Sequence, residues 1–329
     1  MITHGISVII PNFNGRLLLP QIIPPLLIAL KNAKTAYEII VVDDCSTDDS
    51  VKYLRLYHNE IIVLQNDINK GFAPTMNNGI FISKYKYLLF LNSDVKLTPH
   101  YLAPLVRYFD DPDTFGVMGR IIGWDDDNIQ DGGKYPYFHG AKIKTTGNYV
   151  PVHPSPGEKF YSMYLSGANA LVSREKVIQL HGFDEIFAPY YVEDYELSLR
   201  AWRLGWKCYY DHFVTCRHKT SVTIKSSATK RGVAAIYDRN KMFLHAIHLS
   251  GHNKVLWYFQ LVFETFIRIV TLRGYYLKAL WMFSKSGKRL SLSRKAFEAL
   301  SFKHGIKRTI KQVITEITRS LAGKEIRRF

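Results

Sequence analysis

The run Tyr87 to Leu97, YLLFLNSDVKL, carries five apolar or aromatic residues straight into Asn92-Ser93-Asp94. Asn, Ser and Asp form turns readily, so a solvated turn is the simpler account of that ending. The same ending recurs, however. ISVIIP (Ile6 to Pro11) runs into Asn12-Phe13-Asn14, and YEIIVVDD (Tyr37 to Asp44) stops on Asp43-Asp44. Three strands that present polar groups at one sheet edge suit a metal-bound diphosphate, because hard cations take carboxylate oxygens and phosphates complete the shell. A second acidic group, Glu193-Asp194 with Glu196 close behind, opens the helix-like stretch VEDYELSLRAWRLGW. Acid in a first turn complements the helix dipole. A carboxylate there could equally serve as general base toward a hydroxyl. His218, in CRHKTS, reads either as a packed structural imidazole or as a metal ligand.

The elements that must position these groups alternate through the first 120 residues. ISVIIP, YEIIVVDD, IIVLQN and YKYLLFLNSD read as buried strands. A helix is expected beyond Pro24-Pro25, a capped one in STDDSVKYLRLY, and one after the Gly-led loop in GFAPTMNNGIFIS. Continuous apolar strands separated by helices predict a mostly parallel sheet covered on both faces. From Gly123 to Tyr161 the pattern dissolves into Gly, Pro, Asp and Tyr, and reads as an irregular insertion or lid. Order returns at SGANALVSREKVIQLHGFDE, then in the acidic helix, which should end at Gly205 and lead into a strand. The expected division is a catalytic unit over residues 1–240, with halves meeting near 122, followed by an amphipathic helical region over 241–329.

The charge belongs to that last region. The chain of 329 residues carries a formal +16, and from Gly251 onward 17 Lys or Arg stand against 4 Glu. Ile306, Ile310, Val313, Ile314, Ile317 and Leu321 form an apolar helical stripe, and LVFETFIRIVTLRGYYLKALWMF is apolar with basic flanks. Such helices either pack on the body or face an anionic membrane surface, and oligomerisation through them stays open. Nucleic acid is not expected, since no recognition motif accompanies the charge. Cys45, Cys208 and Cys216 have no metal-ligand spacing, which fits a reducing compartment. Neither a signal peptide nor a confident membrane span is read.

Taken in order, SVIIPNFNG, EIIVVDDCSTDDS, NDINKGFAPTMNNGI, YLLFLNSDV, SGANALVSREKVIQLHGFDEIF and VEDYELSLRAWRLGW resemble family 2 glycosyltransferases of the GT-A fold. Within that family the likeness is greatest to rhamnosyltransferase-type enzymes of bacterial surface polysaccharides. The resemblance implies an α/β fold: a Rossmann-like, mostly parallel sheet flanked by helices, with the basic helices as an extension. It places Asn92-Ser93-Asp94 at the family's DxD metal motif, with Asn in the first position. Asp94 would then coordinate Mg2+ or Mn2+, with His218 completing the shell. Pro11, Asn12, Asn14, Asp43, Asp44, Asn69, Gly71, Phe72, Asn92 and Ser93 would line the donor nucleotide. Asp194 would be the catalytic base and Glu193 its support or an acceptor contact. Arg217 and Lys219 could neutralise diphosphate charge. The implied activity is inverting, non-processive transfer from a nucleotide-sugar, dTDP-rhamnose or a UDP-sugar, to a glycan or lipid-linked glycan. The implied place is the cytoplasmic face of the cell membrane, held peripherally. A sugar nucleotidyltransferase and a catalytically inactive membrane-bound scaffold are the competing readings.

Overall fold

The computed structural model describes residues 3–219 and 229–329. Its strands are β1 (Thr3–Asn12), β2 (Tyr37–Asp43), β3 (Ile62–Gln65), β4 (Tyr85–Phe90), β5 (Val95–Leu97), β6 (Thr114–Gly123), β7 (Ile129–Asp131), β8 (Gly133–His139), β9 (Lys142–Pro151), β10 (Phe160–Tyr161), β11 (Ala170–Ser173), β12 (Lys207–His218) and β13 (Ile326–Arg328). Its helices are α1 (Leu19–Asn32), α2 (Ser50–Tyr57), α3 (Phe72–Ile82), α4 (Leu102–Val106), α5 (Arg174–Gln179), α6 (Glu193–Arg203), α7 (Lys230–His248), α8 (Gly251–Val270), α9 (Gly274–Ser284), α10 (Gly287–His304) and α11 (Ile310–Ser320).

The main sheet runs β10-β12-β6-β11-β4-β1-β2-β3, with β5 on β12 and β7 on β6. β3, β2, β1 and β4 are mutually parallel, and β11 enters antiparallel between β4 and β6. Alternation along β1 explains both faces. Ile6, Val8 and Ile10 join one core with α1, while Ile9 joins the other with Met76 and Ile80 of α3. Both sides being covered, the strand reads as one apolar run. The expected mostly parallel α/β sheet is the one observed.

Three local expectations differ. α2, expected to be capped, starts after Asp49 with no side-chain cap. Pro24 and Pro25 lie inside α1 rather than ahead of it. Leu19, Ile22, Ile23, Leu26, Ala29 and Leu30 are buried at helical spacing, and that packing outweighs the hydrogen bonds two prolines remove. The stretch from Gly123 to Tyr161 is not irregular. β8 and β9 form a hairpin turning at Gly140, and β13 adds to β9 as a third strand. Pro136 within β8 and the flanking glycines hid its alternation.

The region beyond residue 229 packs on the body. Residue 240 lies inside α7, where fully buried Asn240 donates from Nδ2 to the carbonyls of Phe187 (2.6 Å), Tyr190 (3.0 Å) and Tyr191 (2.8 Å). Glu196 of α6 is buried between Arg200 Nε at 2.9 Å and His248 Nε2 at 3.0 Å. Arg203 donates to His248 Nδ1, which leaves the imidazole proton on Nε2, facing Glu196. Burial alone would push the Glu196 carboxyl up; Arg200 and His248 hold it below the usual range. Glu196→Leu should therefore cost about 3–5 kcal/mol by denaturant unfolding, since Arg200 loses its buried partner. A loss within experimental error of zero would mean that Leu180 and Gly182 carbonyls alone satisfy that guanidinium.

Candidate active site

The short strand β5 pairs antiparallel with the end of β12, and the register sets Val95 opposite His218. Asp94, in the turn before β5, thereby lies with Oδ2 3.5 Å from His218 Nε2. The other ring nitrogen is 2.9 Å from Gln130 Oε1. An amide oxygen only accepts, so Nδ1 donates to it and Nε2 is the nitrogen that faces the carboxylate. A carboxylate and an imidazole nitrogen so placed can share a cation or a proton. Asp94 Oδ1 and Asn92 Oδ1 are also buried with no hydrogen-bond partner among the described residues. Carboxylate, imidazole and amide oxygen form a donor set that fits Mg2+ or Mn2+. Among the described residues no cluster of three or more His, Cys, Asp or Glu gathers, so those residues bring at most two such ligands to a metal here.

The strand-end residues of β1 and β2 are organised by each other. Asp43, wholly buried, accepts from Asn12 Nδ2 (2.7 Å), Ser46 N (2.9 Å) and Ser46 Oγ (2.5 Å). Asn14, at φ 52°, accepts from Thr47 N at 2.8 Å, and Pro11 sits half-buried beside Val42. Asp44 accepts from Asn66 Nδ2 (2.8 Å), Lys70 N (2.8 Å) and Gly71 N (2.9 Å), so it shapes the loop that carries exposed Asn69. Gly71, at φ 86°, abuts the Pro189 backbone, which a Cβ would meet at 2.5 Å. Phe72 N donates to Pro189 O at 2.7 Å, and its ring packs edge-on to Phe183. Both carboxylates thus hold the two loops around a cleft edge rather than standing free.

The acidic helix begins under strain. Tyr191 and Val192 both take left-handed backbone, at φ 75° and 76°, which is costly for a β-branched residue. Asn240 holds the carbonyls just ahead of it. Glu193 is buried, and its Oε2 has no partner among the described residues. Burial first, then the charge of Asp194, pushes the Glu193 carboxyl up to about 8. Burial also raises Asp194, while the Tyr195 amide (2.7 Å to Oδ1), the Lys134 ammonium and the Gly167 amide pull it back. Near neutral pH Glu193 therefore keeps its proton, while Asp194 has the donors and the cation that favour its charge.

Backbone joins the two acidic places. Asn92 N donates to Ala168 O at 3.1 Å, and Gly167 N lies 3.4 Å from Asp194 Oδ2. Phe72 Cζ would stand 3.0 Å from a Cβ added at Gly167, so the glycine lets that ring pack close to the backbone. Arg217 is engaged by the Gly123 and Asp126 carbonyls and Asp127, and Lys219 lies over the Trp124 ring. Trp202 is core, its indole donating to Ser162 O. Sequence reasoning missed Gln130 and Lys134. Lys134 is buried at the base of the β8–β9 hairpin, paired with Asp131 and 2.6 Å from Asn148 Oδ1. Both lie in the stretch read as irregular, and an isolated Gln or Lys there carries no signal of its own.

The model of "Glycosyl transferase family 2" matches residues 7–178, more than half the chain. The chain belongs to that family. It is 37% identical to the poly(ribitol-phosphate) beta-glucosyltransferase of Bacillus spizizenii over 36% of this chain and 19% of that one. It is 24% identical to the chondroitin synthase of Escherichia coli over 64% of this chain and 34% of that one. The chain spans less than half the length of such relatives. The solved structure of GalNAc-T7 with UDP, GalNAc and Mn2+ superposes on 97% of this chain and 57% of its own, with a TM-score of 0.65 and 17% identity. That likeness shows a shared GT-A type fold. The family match stops at residue 178, ahead of the acidic helix α6 and of His218.

The Glu193 environment has a consequence for stability. A carboxyl raised on folding binds its proton more tightly in the native chain than in the unfolded one, so its contribution is full in acid and is lost as pH rises through about 8. Glu193→Gln keeps the neutral form at every pH. Its melting temperature should gain on the wild type steadily from about pH 5 to about pH 9. A constant difference would mean that Glu193 titrates as an ordinary carboxyl.

Proposed function

We propose that this family 2 chain is an inverting, non-processive glycosyltransferase, moving a sugar from a nucleotide-sugar to a hydroxyl of a glycan or lipid-linked glycan in surface polysaccharide synthesis. The observation that carries the reading is the approach of Asp94 to His218 at 3.5 Å, with unpartnered oxygens of Asp94 and Asn92 beside it. GalNAc-T7, solved with UDP, GalNAc and Mn2+, shares the fold and supports it. dTDP-rhamnose and UDP-sugars are the donors it puts forward. The acceptor would be met at the cytoplasmic face of a membrane by a peripherally held protein.

Asp94 and His218 would hold Mg2+ or Mn2+, which when bound supplies Lewis-acid neutralisation of the departing nucleoside diphosphate. The loops shaped by Asp43 and Asp44, with Pro11, Asn12, Asn14, Asn69, Gly71 and Phe72, would cradle the nucleoside, and Asn92 and Ser93 would face its phosphates. Asp194 takes the proton of the acceptor hydroxyl as that oxygen bonds to the anomeric carbon. The bond from the anomeric carbon to the phosphate oxygen breaks on the opposite side, which inverts the configuration. Glu193 stays protonated and keeps a second charge away from the base. Lys134 favours the ionised form of Asp194.

Thermal-shift titration with UDP, dTDP, GDP and CDP, with and without Mn2+, tests the site. One nucleotide should stabilise the wild type in a metal-dependent way. Asp94→Ala should lose that dependence, while Asp194→Asn keeps it and loses transfer by about 10²–10⁴-fold. Normal turnover in Asp194→Asn, or an intact metal response in Asp94→Ala, would overturn the assignments. Lys134→Met should move the acid limb of kcat to higher pH, because Asp194 loses the cation that favours its charge. An unmoved limb would leave Lys134 a purely structural role.

A further inference from the structure

Helix α8 is turned inside out. At the spacing of one helical face, Lys254, Trp257, Gln260, Leu261, Glu264, Thr265 and Arg268 are buried or half-buried, and most of these are polar. Gln260 Oε1 accepts from Ala141 N at 2.9 Å, Glu264 pairs with Lys142, and Arg268 lies 5.0 Å from the Tyr276 ring centre. The opposite face is apolar and open: Phe259, Val262, Phe263, Phe266 and Val270 are each at least 64% exposed. A surface helix of a water-soluble protein has the reverse arrangement. Leu272, in the turn after α8, is 92% exposed, and Trp281, toward the end of α9, is exposed as well. Contiguous apolar surface of this kind marks a docking face.

Charge decides what covers it. Around the open face stand exposed Arg273, Lys278 and Lys285, while Glu264, the one acid between Gly251 and Ser286, is paired on the inner side. A second copy would bring like charges together, whereas an anionic bilayer complements them. Exposed Tyr258 and Trp281 are the aromatic types that sit at headgroup level. Among the described residues no helix is long and apolar enough to cross a membrane. We propose that α8, with Leu272 and Trp281, seats in the plane of an anionic lipid surface with its apolar face in the acyl boundary. The apolar stripe Ile310, Val313, Ile314, Ile317 and Leu321 is not part of that face, because it is buried against the body. The inner, polar side of α8 grips the tip of the β8–β9 hairpin, whose base carries Lys134. A lipid-seated α8 is therefore one hairpin away from Asp194.

The test is flotation of the full chain with phosphatidylcholine vesicles, alone or with roughly 30 mol% phosphatidylglycerol, which bears the anionic charge. The anionic vesicles should bind at least about tenfold more tightly. Brominated lipid should quench a tryptophan signal that Trp281→Phe removes. The variant combining Phe259→Ser, Val262→Ser, Phe263→Ser and Phe266→Ser should lose at least about tenfold in binding while keeping its melting temperature. Equal flotation of variant and wild type would overturn the assignment. So would a wild type that ignores anionic vesicles, including one that instead forms a dimer the variant abolishes. Vesicle binding is read without donor or turnover, so failure here is distinct from failure of the catalytic reading.

Discussion

The site depends on the pairing of β5 with the far end of β12. Three residues of strand carry Asp94 to the sheet, and the antiparallel register of Val95 with His218 brings carboxylate and imidazole face to face. Gln130 holds the other ring nitrogen. A slip of one residue would turn His218 to the other side of the sheet and dissolve the arrangement, because side chains alternate along a strand. β6 holds that end of β12, pairing Thr215 to His218 with Arg120 to Gly123 beyond a register shift after Asp211.

The acidic helix is placed by the opposite strategy, buried polar contacts rather than a ladder. Glu196, one turn beyond the strained entry at Val192, is fixed between Arg200 and a neutral His248. Asn240 takes the three carbonyls that lead into the helix. Both supports come from α7, and Arg203 adds the Arg308 carbonyl just before α11. The helices after residue 229 thus brace the carboxylates, whatever else they touch. An apolar core could hold α6 as firmly, but only directional partners can hold a backbone with two successive positive φ values in one arrangement.

The same helices show two ways an apolar face can be used. α11 turns Val313 and Ile317 inward, as an ordinary amphipathic helix does. α8 spends its polar residues on the hairpin and leaves its aromatics outside. Both stretches read as apolar and basic in sequence, and hydrophobic periodicity states which residues share a face without stating which way that face turns. Burial alone separates them.

Much of the site's content was legible from residue types. Strands that end on Asn12, Asp43-Asp44 and Asn92-Ser93-Asp94 announce themselves, since an apolar run stopped by carboxylates has few explanations and sheet geometry puts such ends together. The acidic helix at Glu193 and its stop near Gly205 were equally plain, because the acidic first turn and the glycine are local signals. The prolines of α1 and the β8–β9 hairpin were not, since packing against the sheet overrode local propensity in each. Gln130 and Lys134 were invisible for a different reason: a lone polar side chain gains meaning only from what faces it. Sequence by itself determined the fold class, the acidic strand ends and the basic C-terminal region, all matters of pattern along the chain. Tertiary structure decided that Asp94 meets His218, that Glu193 is buried against Asp194 and holds the proton, and that α8 shows its apolar side. Those depend on register, burial and orientation, which are properties of contacts between distant segments.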